Sequence, residues 1–141
     1  MAEILTRATD VSVDDVLARV SSAGRRADAI VLRDMLERIT GEPAVMWGPT
    51  IIGFGRYRYQ YESGHGGEMC RIGFAARSAS MSLYGVNSPG SEDLLPQLGP
   101  HKAGVACVWV GRFSRLDLDI LERLYRIGWS YRGSEEIPLD A

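Results

Sequence analysis

Cysteine, histidine and lysine are scarce in this chain. Two cysteines, Cys70 and Cys107, cannot staple a scaffold, and a chain of 141 residues can bury a core without one. Two histidines, His65 and His101, leave little for a metal centre. Lys102 is the only lysine among 16 basic residues. Arginine in its place suits bidentate recognition of phosphate and carboxylate, although codon bias in a GC-rich genome gives the same excess. No apolar run approaches the roughly 20 residues needed to span a bilayer. The start, MAEILTRATD, lacks the basic-then-apolar order of a secretory leader, so a cytoplasmic chain is the expectation. A dominant charge is missing too. The net charge is -2, so nothing pulls the chain globally towards nucleic acid or a membrane, and neither is an expected partner.

What is present divides into helical and strand-like segments. Ser12 caps a first helix, with Asp15 three residues on in the manner of a capping box. Val13, Val16, Leu17 and Val20 mark its apolar face. Gly24 is read as a break, and a second helix runs from about residue 25 to 40 with Leu32, Met35, Leu36 and Ile39 as its stripe. Arg33–Glu37 and Asp34–Arg38 are i,i+4 pairs on its wet side, and Gly41 and Pro43 end it. Residues 51–61, 69–75, 79–86 and 105–110 read as strands, with SGHGGE (63–68) as a hairpin loop and AARS (75–78) as a tighter turn. A short helix capped by Ser91 is expected near SEDLLPQL, GPHKAG is expected as a loop, and a last helix covers 116–128. Residues 129–141 are expected to form a loosely held tail. No repeat or linker divides residues 1–141, so one domain is expected. The order ααβββαβα implies an α+β two-layer sandwich, a mainly antiparallel sheet with helices on one face.

The stretch MWGPTIIGFGRYRYQY carries two glycines two apart, and it fails both nucleotide signatures. Arg58 stands where a dinucleotide fingerprint needs its third glycine, and neither Gly53 nor Gly55 is followed by lysine as in a phosphate-binding loop. The alternation Tyr57, Tyr59, Tyr61 against Arg56, Arg58, Gln60 is that of a half-buried strand. The tyrosines are expected under the helices. Gly53 and Gly55 either admit a close helix or mark a bulge that flips the face. Cys70 is expected to share a face with Ile72 and Phe74. Arg56, Arg58, Gln60, Arg71, Ser80, Ser82 and Tyr84 then assemble one cationic sheet face, fit for an anionic ligand or a partner.

MWGPTIIGFGRYRYQYESG, GFAARSASMSLY, LGPHKAGVACVWV and LDLDILERL together resemble the YdhG-like family, small bacterial proteins with a domain of unknown function. The resemblance runs from about Thr9 to Arg126. It rests on Trp47, Gly48, Pro49, Gly53, Phe54, Gly55 and Tyr57, then on Arg77, Tyr84, Gly99, His101, Lys102, Gly104 and Cys107. It implies a compact α+β sandwich. Some relatives are described as frataxin-like iron chaperones, so it also implies a non-catalytic cytosolic binding protein that handles iron. The family brings no catalytic residues and no other cofactor.

The chemical candidates are thin. No G-x-S-x-G is present, and although Cys107 with His101 could pair a nucleophile with a base, Cys107 lies in the apolar run VACVWV and is expected as a buried structural cysteine. His65, Cys70, His101 and Cys107 match no zinc-finger spacing. An enzyme is therefore the least supported class. Iron would seek exposed carboxylates, and Asp10, Asp14 and Asp15 are the nearest to a ridge. The alternative is a binder of a small anionic metabolite, or of a phosphate-bearing ligand. That ligand would sit on the cationic face or at the loop LGPHKAG, where Arg77, His101 and Lys102 are expected to converge near Tyr84.

Overall fold

The computed structural model describes residues 8–60, 66–104, 107–131 and 136–137. Strand β1 (Ala8–Thr9) leads into the short helix α1 (Val13–Ala18). The Ser12 hydroxyl accepts the Asp15 N–H at 3.2 Å, as its position before an apolar run predicts. Helix α2 (Ala23–Thr40) starts two residues before the expected position, because Ser22 caps it by accepting the Arg25 N–H. Gly24 thus lies in the first turn and breaks nothing. Ala29, Leu32, Met35 and Leu36 form the buried stripe, and each fully buried leucine of that stripe contributes about 1.5–3 kcal/mol. Arg33 reaches Glu37 at 3.9 Å, but Asp34 and Arg38 do not pair. Arg38 crosses instead to Glu122.

The chain then builds strands β2 (Val45–Trp47), β3 (Ile51–Phe54), β4 (Tyr57–Gln60), β5 (Gly66–Met69), β6 (Ile72–Ala76) and β7 (Met81–Tyr84). A single 3₁₀ turn at Leu95–Gln97 replaces the expected short helix, and Ser91 is buried before it without capping it. Strand β8 (His101–Ala103) occupies the expected loop, and β9 (Cys107–Val110) follows. Helix α3 (Leu118–Ser130) is capped by Asp117, which accepts the Asp119 and Ile120 N–H groups. Residues 129 and 130 belong to this helix, and Glu136–Ile137 form strand β10 against β4, so the expected loose tail is corrected there.

Seven strands pair antiparallel in the order β1-β2-β3-β6-β7-β9-β8, and β10-β4-β5 form a second antiparallel sheet. This is the expected α+β arrangement, with more strands than the sequence announces. Met46, Ile52, Phe54, Ile72, Phe74, Met81 and Leu83 face the helices and pack with Leu32, Leu36, Leu121 and Leu124. Tyr125 is fully buried among them, and its hydroxyl donates to the Gly73 carbonyl at 2.8 Å, which satisfies the one polar atom it brings inside.

The expected single strand 51–61 breaks at Gly55. Its φ is +69°, and a Cβ there would stand 2.5 Å from the Trp129 ring of α3, so only glycine fits the bend. The bend moves the following residues out of the first sheet. Tyr57 is half-buried, with the Arg71 guanidinium 5.7 Å from its ring centroid, and is not under the helices as expected. Tyr61 and the loop residues 61–65, including His65, lie outside the described residues.

Candidate functional site

The helices cover one face of the seven-stranded sheet, and the pairing register defines the other. Directly paired residues of antiparallel strands point to the same side. Gly53, Gly73, Tyr84 and Cys107 make one cross-strand row on the face away from the helices. Ala75, Ser82, Trp109 and Lys102 make the neighbouring row. Trp47, paired with Ile51, lies on the same side.

Cys70 belongs to this face too, contrary to the expectation that it sides with Ile72 and Phe74, and Trp47, Cys70, Ala75 and Ser82 on it are buried. It sits in the bend between β5 and β6, so strand parity does not carry through it. A Cβ on Gly53 would stand 2.5 Å from the Cys70 Cβ and 2.6 Å from the Trp47 ring. Gly53 is thus a glycine because an indole and a thiol already fill the space above it. Arg56 covers Trp47 at 5.5 Å from the ring centroid and approaches Glu68 at 3.6 Å. Trp47 is 1% exposed, and its indole N–H has no hydrogen-bond partner.

Arg77 follows β6 in a turn closed by its N–H bond to the Ser80 carbonyl at 2.8 Å. Its guanidinium donates to the Thr50 hydroxyl at 3.3 Å and to the Tyr84 hydroxyl at 3.1 Å. Both acceptors are neutral. Arg33, Arg38, Arg56, Arg112 and Arg126 each have a carboxylate within ion-pair distance, whereas none of the described carboxylates lies so close to Arg77, or to Arg19, Arg25, Arg26, Arg115 and Arg123. Tyr84 and Cys107 are half-exposed, and Cys107 is paired with Tyr84 across the ladder. Burial pushes the Cys107 thiol up, and the positive charge of Arg77 opposes that rise. Burial pushes the Cys70 thiol up to about 12. Both thiols are free, and both are held in the poorly nucleophilic form.

The expected convergence is therefore half formed. Arg77 and Tyr84 touch, and β7 and β9 are neighbours. Lys102 is exposed on the same face, but three strands from Arg77, about 14 Å away at the usual strand spacing. His101 pairs with Val110, on the helix side of the sheet, and its Nδ1 is engaged by the Gly99 carbonyl at 2.7 Å. The continuous cationic face is not formed either. Arg58 and Gln60 lie in the second sheet, Arg56 and Arg71 lie in the bend, and Ser80 lies in a turn, which leaves Ser82 and Tyr84 on the first sheet. Strand parity could not foresee this, because a single glycine bend resets it. The sequence alone gives Thr50 no signal as a partner of Arg77, whereas the alternation CVWV puts Trp109 on the face of Cys107.

The three aspartates do not form a metal site. Asp10 and Asp14 line a cleft of about 340 Å³, but Arg33 holds the Asp14 carboxylate at 2.9 Å. Asp15 lies in the first turn of α1, where its N–H is capped by Ser12. Among the described residues no three histidine, cysteine, aspartate or glutamate side chains are grouped to hold a metal ion. Nor is any described helix long and apolar enough to cross a membrane. Comparison of the chain with protein-family models, with curated proteins and with solved structures returns no match.

Proposed function

We propose that the chain is a cytosolic, non-catalytic binding protein for a small anion, held by the exposed Arg77 at the face of the seven-stranded sheet away from the helices. One observation carries the reading: the Arg77 guanidinium is fixed by two neutral hydroxyls and neutralised by no described carboxylate. A guanidinium in that state keeps its full charge and further N–H donors for an oxoanion. The Tyr84 hydroxyl, an acceptor towards Arg77, can still donate its own proton to the same ligand. Lys102 adds a second positive charge on this face. Binding is favoured over catalysis because, among the described residues, this face brings no activated nucleophile together with a base. Iron handling, implied by resemblance to the YdhG-like family, is the weaker reading, since Asp14 is already paired and the three aspartates are not grouped.

Thermal unfolding with inorganic phosphate, simple phosphate monoesters and short carboxylates tests the proposal. A bound anion at a hundred times its dissociation constant stabilises the fold by about 2.7 kcal/mol. At least one of these anions should raise Tm, and Arg77→Met should weaken its binding at least tenfold, by loss of charge-assisted hydrogen bonds worth about 1.5–3 kcal/mol. Equal stabilisation of the wild type and the variant would refute the site.

A further inference from the structure

The two hydroxyls that hold Arg77 bear on which anion it can take. Nη1 donates to the Thr50 Oγ1 at 3.3 Å, and Nη2 donates to the Tyr84 Oη at 3.1 Å. Each hydroxyl accepts with one lone pair and keeps its own proton. Among the described residues, neither proton is given to a protein acceptor. Both oxygens are bonded to one guanidinium, so all three groups lie within reach of a single small ion. Thr50 and Arg77 are exposed and Tyr84 is half-exposed, so that ion can approach from solvent. The three residues come from separate places in the chain: Thr50 precedes β3, Arg77 follows β6 and Tyr84 ends β7. A guanidinium carries five N–H groups, and the two hydroxyls engage one on each Nη, which leaves others for the ligand. A carboxylate brings two oxygens in one plane, and a guanidinium by itself can satisfy both. The two hydroxyl protons would then have no ligand atom to meet. A tetrahedral oxoanion brings further oxygens that point out of that plane, towards donors at either end of the guanidinium.

We infer that the ligand is a tetrahedral oxoanion, a phosphate or sulfate group bound jointly by the Arg77 guanidinium and the Thr50 and Tyr84 hydroxyls, and not a carboxylate. This rests on the anion reading above and adds the shape of the ligand and two further binding residues. The site is open to solvent, so one oxygen of the ion can face outward and carry an ester. A free ion and an esterified one therefore share the chemistry that is recognised.

The experiment compares sulfate, inorganic phosphate, methyl phosphate and oxalate by titration calorimetry at pH 8. A phosphate ester has lost its second proton there, so all four probes carry a charge of about -2 and differ in shape. The best tetrahedral ion should bind about tenfold more tightly than oxalate, whose carboxylates are planar. If that ion is methyl phosphate the natural ligand is an ester, and if it is sulfate or inorganic phosphate the ligand is the free ion. Thr50→Val and Tyr84→Phe each remove one hydroxyl proton without changing charge. Each should weaken the tetrahedral ion about fivefold or more, as loss of a hydrogen bond to a charged group does, and change oxalate binding less than about twofold. Thr50→Ser keeps the hydroxyl and should keep wild-type affinity, which separates loss of the donor from damage to the fold. Oxalate binding as tightly as the best tetrahedral ion would overturn the inference and leave Arg77 as the anion site. So would hydroxyl variants that weaken oxalate and the tetrahedral ions alike, since the hydroxyls would then only hold Arg77 in place. If none of the four binds, or if Arg77→Met leaves binding unchanged, the anion reading itself falls, and this inference with it.

Discussion

Cys70 and Cys107 lie on the same face of the sheet, yet only Cys107 is half-exposed. Burial is the largest cause of the upward shift at both thiols, and at Cys107 the Arg77 charge works against it. A thiolate is the reactive form, so reactivity follows these shifts. Iodoacetamide should therefore label Cys107 in the native chain and leave Cys70 unmodified until the chain unfolds. Arg77→Met removes the charge that favours the thiolate, so the Cys107 pKa rises further and its labelling at pH 8 slows. Mass spectrometry of the labelled peptides measures both effects. Native labelling of Cys70 at the rate of Cys107 would contradict the burial argument.

Helices α2 and α3 are joined on their wet sides through Glu122. Its carboxylate accepts from Arg126, one turn along the same helix, at 2.8 Å, and from Arg38 of α2 at 2.9 Å. These bonds, Arg126 first, hold the Glu122 carboxyl below its ordinary value. A carboxyl whose folded pKa is depressed contributes stability above its unfolded pKa of about 4.3 and loses it as pH falls through the folded value. The pairs are largely exposed, so the contribution is about 0.2–1 kcal/mol. Glu122→Gln should accordingly lower Tm slightly at pH 7. The gap from the wild type should close as pH is taken below about 4. Melting curves across that range, at low salt, provide the measurement. A gap of constant size at every pH would show that Glu122 acts through packing and not through its charge.

At the scale of the whole molecule, the described residues form one helix-covered sheet and a smaller sheet joined to it by a ribbon bent at Gly55. All the buried core side chains described lie between Leu17 and Tyr125. The smaller sheet takes its third strand from β10, which pairs Glu136 with Tyr59 and Ile137 with Arg58. Removing the residues after Tyr131 should leave one cooperative transition with little change in Tm, because no described core side chain is lost. Amide exchange in β4 should quicken, since that strand then has β5 alone as partner. Hydrogen exchange with mass spectrometry reads both. A large fall in Tm would place β10 inside the cooperative unit.

The sequence by itself determined the elements whose signals are local. Ser12, Ser22 and Asp117 cap helices because a side-chain oxygen before an apolar stripe needs nothing distant, whereas Ser91, expected as a cap on the same grounds, precedes only a 3₁₀ turn and does not cap it. The stripe of α2 and the alternation in β6, β7 and β9 likewise placed Leu32, Phe74 and Leu83 in the core, and with them the α+β class. Strands β1, β2, β8 and β10 were not legible. Each is two or three residues long, too short for a period, and exists because a neighbour supplies its hydrogen bonds. The candidate site divides in the same way. Arg77, Tyr84 and Lys102 could be named from the sequence, but their partners could not. Only the tertiary structure set Thr50 under the Arg77 guanidinium, turned His101 to the helix side, and moved Arg56, Arg58 and Arg71 off the first sheet at Gly55. Strand parity is a local rule that holds as far as the backbone stays regular, and one glycine at positive φ, fitted against the Trp129 ring, ends its reach.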